Sequence, residues 1–374
     1  MAAVHMSLAR AGVVLAGLLS VLGGSAPARA ATDPFSVSGV TVDATAATAA
    51  AARDAALAEG QRKAARMLFE RLTAPADHAR LPRPSDNEIV GLVAGFEVQE
   101  ERTSAIRYLA TLTYSFRPGA VRALLRGAGI AFGETASRPV LVVPLLKSTA
   151  GTPMLWEDAN VWRRVWLERP PATGLVPVVV PSGDVADVAS LTTPQVETGG
   201  PGAFATLLQR YDAGDAVIAE AMLDAAGVTL TVRRPGITEP LFTDRLPQSA
   251  VEPQAELLRR TTQRVVQGLE ERWKRDILVQ PQDDAGAIVV RVPLQGVNDW
   301  LELRRRLAST GFVQNVAVKS LSRREAVVGL SFAGEPSQLK LVLAQRQLAL
   351  EQEPDGWVLR VLGAQTGERA PTPQ

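Results

Sequence analysis

Hydrophobic and polar residues follow several distinct patterns along this chain, and each pattern predicts an element. Arg138–Lys147 is a short, continuous apolar run, rich in β-branched residues and bounded by turn-forming residues. Such a run is typical of a strand that is buried on both faces of a sheet. We therefore expect it to open a new sheet, followed by the loop Ser148–Pro153 and a helix over Leu155–Leu167.

The residues before this strand predict an N-terminal α+β module. Phe35–Val42 alternates apolar with polar residues, as a half-buried strand does, and an Ala-rich helix is predicted over Thr45–Leu72. Gly95–Arg102 and Ile106–Phe116 are alternating strands that a polar turn joins into a hairpin. Short helices at 87–93 and 118–126 complete a β-α-α-β-β-α order.

The residues after Lys147 predict a mixed-sheet α/β module and then a ferredoxin-like module. A second buried strand is predicted over Leu175–Pro181, and a long amphipathic helix over Pro253–Asp276. Between Ile288 and Leu362 the pattern follows β-α-β-β-α-β, the ferredoxin-like order. The predicted fold class is therefore a multidomain α+β and α/β protein.

The first thirty residues have the pattern of a secretory signal peptide. Arg10 precedes the apolar run Ala11–Leu22, and a small-residue cleavage site ends at Ala30. The run is shorter than the about 20 residues of a transmembrane helix, so we expect a cleaved signal, a periplasmic location and no transmembrane segment. The predicted divisions are the signal peptide (1–30), the N-terminal module (31–137), the middle module (138–280), a linker (281–286), the ferredoxin-like module (287–362) and a disordered tail (363–374).

Composition narrows the possible chemistry. The chain has no Cys, which excludes thiol nucleophiles, iron–sulfur clusters and Cys-ligated zinc. Signal cleavage would leave His78 as the one histidine, in a Pro-rich loop where we expect it to be solvent-exposed and not catalytic. A net charge of +1 argues against a nucleic-acid partner, which usually requires a basic excess. We expect no cofactor, no metal site and no catalytic residue.

The loop Ser148–Pro153 has the position of a ligand-binding loop but lacks the sequence of one. Loops of this kind between a strand and a helix often bind ligands in α/β sheets. The single Gly151 does not supply the glycine spacing that brings backbone amides onto phosphates. An ordinary connection between a strand and a helix is therefore the expected role.

Four residues of the middle module form the candidate binding surface: Trp156, Trp162, Trp166 and Asp184. Trp162 and Trp166 are four apart and share one helix face. If exposed, these rings could stack on sugars or hold a partner, whereas buried rings at this spacing are core anchors. Asp184 follows the predicted second buried strand and is either a turn or cap residue or one of two hydrolytic carboxylates.

Several short motifs lie along most of the chain after residue 30, and together they point to one family. The motifs are Val37–Val40 before a helix that contains Ala52–Ala55, the hairpin with Glu101, Arg107, Tyr108 and Phe116, the strand Pro139–Pro144, and Trp156 followed by Asn160, Trp162 and Trp166. With these motifs the chain resembles the exported proteobacterial domain-of-unknown-function family numbered 2066. The resemblance implies an envelope location and supplies no activity, cofactor or catalytic residue.

These features predict a non-enzymatic periplasmic adaptor or scaffold whose partner is another envelope protein. The alternative is a periplasmic protein that binds a small ligand or glycan through its middle module, beside Trp156–Trp166. A third hypothesis is a hydrolase that uses Asp184 and another carboxylate. Two structural facts distinguish them: the exposure of the tryptophans, and a second acid near Asp184 in a concave site.

Overall fold

Three β-sheets of three, six and five strands organise this computed structural model, which describes residues 33–147, 152–279 and 285–362. The expected mixed α+β and α/β architecture is confirmed. The predicted signal peptide, the tail, and most of the loop Ser148–Pro153 and of the linker lie outside the described residues. None of the helices that the structure describes is both long and apolar enough to cross a membrane.

One long helix covers a three-stranded antiparallel sheet in the N-terminal module. The elements are β1 (Ser36–Thr45), α1 (Ala49–Leu72), a 3₁₀ turn (Pro75–Arg80), α2 (Asp86–Leu92), β2 (Val93–Thr103), β3 (Arg107–Phe116) and α3 (Pro118–Gly127), and the strand order is β1-β3-β2. Helix α1 begins after Thr48, whose side chain accepts a hydrogen bond from the Ala51 amide. The small side chains of Ala52, Ala56 and Ala64 are buried, so the helix lies close to the sheet.

The middle module is a six-stranded mixed sheet, and β4 lies inside it as expected. Its elements are β4 (Val140–Lys147), β5 (Pro153–Met154), α4 (Val161–Glu168), β6 (Val178–Val179), α5 (Val185–Ser190), α6 (Thr193–Thr198), a 3₁₀ turn (Pro201–Phe204), α7 (Ala205–Arg210), β7 (Asp215–Asp224), β8 (Gly227–Arg233), β9 (Phe242–Pro247) and α8 (Gln254–Ile277). Leu141 and Val143 of β4 face one core, while Val142 and Leu146 face the other. The predicted burial of this strand on both faces is therefore confirmed.

Two predictions in the middle module are wrong in extent. The second buried strand, predicted over Leu175–Pro181, shrinks to the two residues of β6, because Pro177 and Pro181 on either side of β6 have no amide to donate to a ladder. The helix predicted from Leu155 begins at Val161, where the Asn160 side chain accepts a hydrogen bond from the Arg163 amide. Helix α6, which a capping box at Thr192 begins, had no counterpart in the prediction.

The C-terminal module is a five-stranded sheet with helices α9 and α10. Its elements are β10 (Ala285–Pro293), α9 (Val297–Ala308), β11 (Val313–Leu321), β12 (Glu325–Ala333), α10 (Pro336–Gln345), β13 (Leu348–Glu353) and β14 (Gly356–Val361), in the strand order β11-β12-β10-β14-β13. The ferredoxin-like order is not confirmed, because the module ends in a hairpin rather than in one strand. The second strand of that hairpin, β14, pairs in parallel with β10.

Candidate functional site

Trp162 and Trp166 lie in the core of the middle module rather than on its surface. Trp162 is 0% exposed and Trp166 2% exposed, and their rings meet edge to face with 5.6 Å between centroids. The Trp162 indole also donates a hydrogen bond of 2.9 Å to the Ala219 carbonyl of β7. This burial contradicts their assignment to a binding surface, because neither ring has an open face for stacking. Both rings instead anchor α4 on the sheet.

The third tryptophan of the candidate surface, Trp156, is half-buried and has a structural partner. Its indole donates a hydrogen bond of 2.7 Å to the Leu191 carbonyl, which lies just after α5. The three tryptophans therefore do not form the exposed aromatic platform that glycan binding requires.

Asp184, the fourth residue of that surface, is the N-cap of α5. One of its carboxylate oxygens accepts hydrogen bonds of 3.0 Å from the Ala186 and Asp187 amides. The carboxylate also pairs with Arg210, which holds the pKa of Asp184 well below its usual range. A carboxyl group of this kind stays ionised and is unsuited to donating a proton.

Asp187 shares the Arg210 guanidinium with Asp184, and it has no free oxygen with which to act on a substrate. Asp187 is fully buried. Its carboxylate accepts hydrogen bonds from the Gly183 amide at 2.9 Å, the Tyr211 hydroxyl at 2.7 Å and Arg210 at 3.0 Å. The network joins α5 to α7, so these two acids act as a structural clamp and the hydrolase hypothesis loses its basis.

His78 is not solvent-exposed as predicted. Its side chain is half-buried, and its Nε2 atom is shielded from water with no hydrogen-bond partner among the described residues. The 3₁₀ turn that carries it is held by Arg66, which donates a hydrogen bond of 3.0 Å to the His78 carbonyl. Within the described ranges, no group of three or more His, Asp and Glu side chains is placed to hold a metal ion.

The most exposed strand of the N-terminal sheet is β2, which lies at its edge. Ten of its eleven residues are exposed. We call its central residues Phe96–Glu101 the β2 edge. An edge strand presents unpaired backbone N–H and C=O groups, to which a further strand can add.

The β2 edge carries apolar side chains on the face of the sheet that α1 covers elsewhere. Phe96 pairs with Tyr114 and Val98 with Leu112, and both of these β3 partners are 0% exposed. Because paired residues project from the same face, Phe96 and Val98 point toward the helix layer. They are nevertheless 39% and 40% exposed, because α1 packs on β1 and β3. Helix α1 therefore does not cover β2.

The β2 edge is also acidic. Glu97, Glu100 and Glu101 are all exposed. Glu97 pairs with Thr113 on the outer face, and a bulge between Val98 and Glu100 places Glu100 on the same face, opposite Thr111. Glu101 lies on the inner face, where it accepts a hydrogen bond of 2.9 Å from the Tyr108 hydroxyl. The edge therefore combines an apolar strip with a row of carboxylates.

Sequence patterns indicated the strand but not its exposure. Alternation of Phe96, Val98 and polar residues is typical of a strand with one buried face. Only the strand order, with β2 outside β3, shows that this face extends past the helix. No protein-family model matches this chain, and no curated protein is similar enough in sequence to be matched.

Proposed function

We propose that this protein is a non-enzymatic adaptor or scaffold of the cell envelope, and that a partner protein docks on the β2 edge. The observation that supports this proposal is the exposure of ten of the eleven residues of β2. In strand addition, main-chain hydrogen bonds supply affinity and alternate side chains supply specificity. Phe96 and Val98 offer the apolar contacts, and the glutamates offer the charge.

The partner segment is extended and basic, and it carries apolar residues on one face. Opposite charges across paired strands stabilise the pairing, whereas like charges directly opposite each other destabilise it. Three glutamates within Phe96–Glu101 therefore select Lys and Arg in the partner. The bulge and the charges also discourage indiscriminate pairing at this edge.

An envelope location is supported by the sequence. The basic residue, apolar run and small-residue site before Ala30 are typical of a signal peptide. The resemblance to family 2066 points to the same compartment. Recovery of the protein in the periplasmic fraction, with its N-terminus after Ala30, tests this part of the proposal.

Peptide binding tests the docking strand. One strand-length peptide alternates valine with lysine, and a second alternates valine with glutamate. We expect the basic peptide to bind the full chain and the acidic peptide not to bind. Val98→Lys, which places a cation in the apolar strip, should weaken binding of the basic peptide at least about tenfold, or about 1.4 kcal/mol.

The matched control is Val318→Lys on β11, the exposed edge strand of the C-terminal sheet. Val318 is 49% exposed, similar to the 40% of Val98. The control should bind the basic peptide as the unaltered chain does. Equal loss in both variants, or no binding by the unaltered chain, would contradict docking at β2.

A further inference from the structure

Two cavities lie side by side along α8, away from the β2 edge. The larger has a volume of about 530 Å³ and is bounded by α1, the 3₁₀ turn and α8. The smaller, of about 360 Å³, is bounded by the segment 168–174 and α8. They adjoin at shared lining residues, namely Thr173, Gly174, Val266, Gln267 and Glu270. Volumes of this size are typical of small-molecule sites, which span about 300–1,000 Å³.

Glu270 stands where the two cavities meet. Its Oε1 atom accepts a hydrogen bond of 2.7 Å from the Val176 amide. Its Oε2 atom is shielded and has no hydrogen-bond partner among the described residues. A Cβ at Gly174 would overlap Glu270 Oε1, so a larger residue there would displace this carboxylate. The Val176 amide thus holds Oε1 in place, while Oε2 is enclosed without a hydrogen-bond partner among the described residues.

Two buried cations line the larger cavity. Lys274 is 6% exposed, and its ammonium donates a hydrogen bond of 2.8 Å to the Glu70 carbonyl. An ammonium has three N–H donors, so two remain available in the described structure. Arg71 is 8% exposed and is held by the Pro34 and Ser36 carbonyls.

Neither cation forms an ion pair with Glu270 among the described residues, although both act on it through space. Burial raises the pKa of the Glu270 carboxyl and lowers the pKa of the Lys274 ammonium. Both directions mean that burial disfavours the charged form of each group. Buried, incompletely paired charges in a cleft are typical of functional sites.

We propose that this cleft binds a small zwitterionic molecule of the amino-acid or short-peptide class that carries an apolar side chain. The ligand carboxylate accepts hydrogen bonds from Lys274 beside Arg71, and its ammonium donates to the carboxylate of Glu270, which lines both cavities. The apolar side chain occupies the smaller cavity against Pro170, Pro171 and Ala172. His78 also lines the larger cavity.

Calorimetric titration of the full chain with the dipeptide leucyl-leucine tests this site. N-acetylation of the dipeptide removes its ammonium, and amidation removes its carboxylate. We expect each modification to weaken binding at least about tenfold, since each leaves a buried charge without its partner. Glu270→Gln should weaken binding of the dipeptide similarly while its amide oxygen still accepts the Val176 hydrogen bond.

The matched control is Glu256→Gln, an exposed position on the same helix. It should bind leucyl-leucine as the unaltered chain does. In Glu270→Gln, N-acetylation should cause little further loss, because the partner of the ammonium is already gone. No binding by the unaltered chain, or an unchanged dissociation constant in Glu270→Gln, would overturn the proposal. Docking on β2 is tested separately by Val98→Lys, which leaves this cleft intact.

Discussion

Trp162→Ala should destabilise the middle module severely, because the structure makes this side chain a core anchor. Trp162 is 0% exposed, packs edge to face on Trp166 and bonds the Ala219 carbonyl. Truncation of a buried tryptophan to alanine costs about 3–5 kcal/mol. Trp162→Phe keeps a ring against Trp166 but loses the hydrogen bond and part of the volume, so we expect a smaller loss of about 1–3 kcal/mol.

Urea unfolding followed by far-ultraviolet circular dichroism measures both losses, since the signal does not depend on the tryptophan that is removed. Leu167→Ala is the matched control, because Leu167 lies on the same helix and is 46% exposed. Its unfolding free energy should change by no more than about 0.5 kcal/mol. If Trp162→Ala were as stable as Leu167→Ala, the ring would not be an anchor and the surface hypothesis would regain support.

Three further substitutions test buried contacts, each by urea unfolding. Burial raises the pKa of Glu270 in the folded chain, so its carboxylate costs stability as pH rises through that pKa. The unfolding free energy of Glu270→Gln, relative to that of the unaltered chain, should therefore increase from about pH 4 to pH 8. A difference that stays constant with pH would refute this. Asp187→Asn turns an amide N–H toward the Gly183 amide and the Tyr211 hydroxyl, which are donors, and should lower the unfolding free energy by about 3 kcal/mol. An unchanged unfolding free energy would show that the clamp is dispensable. Gly60→Ala gains about 1 kcal/mol of helix propensity, but its Cβ would lie 2.5 Å from the Tyr114 hydroxyl. We therefore expect the unfolding free energy to fall by about 1 kcal/mol. An increase would show that α1 can shift away from Tyr114.

Local sequence patterns predicted the elements whose tertiary contacts favour the same secondary structure as their own sequence does. The hairpin of β2 and β3, the Ala-rich α1 and the amphipathic α8 all lie within a few residues of their predicted bounds. Each has strong periodicity and clear stop signals. The strand predicted over Leu175–Pro181 is too long. Its valine content indicates a strand, but Pro177 and Pro181 limit the pairing to Val178–Val179.

Sheet order lay outside what local patterns can specify. The parallel pairing of β10 with β14 depends on contacts between residues far apart in sequence. The same holds for the position of β2 outside β3, which leaves Phe96 and Val98 uncovered. Strand periodicity predicts which side chains share a face, but not whether a helix covers that face.

The cleft along α8 could not be predicted from the sequence, because it also depends on contacts between distant segments. The amphipathic pattern of α8 predicts that its charged residues lie on the solvent-exposed face. Lys274 and Glu270 are instead shielded by α1 and by the segment around Gly174. The sequence shows that these two residues are four apart and so share a helix face. Only tertiary packing determines that this face is buried rather than exposed.

A reversal of charge on the β2 edge tests the central claim most directly. In the double variant Glu97→Lys and Glu100→Lys, the full chain should lose affinity for the valine–lysine peptide and bind the valine–glutamate peptide instead. Glu239→Lys, at an exposed acidic position elsewhere, should keep the original preference. If the double variant bound both peptides as the unaltered chain does, the β2 edge would not be the docking strand.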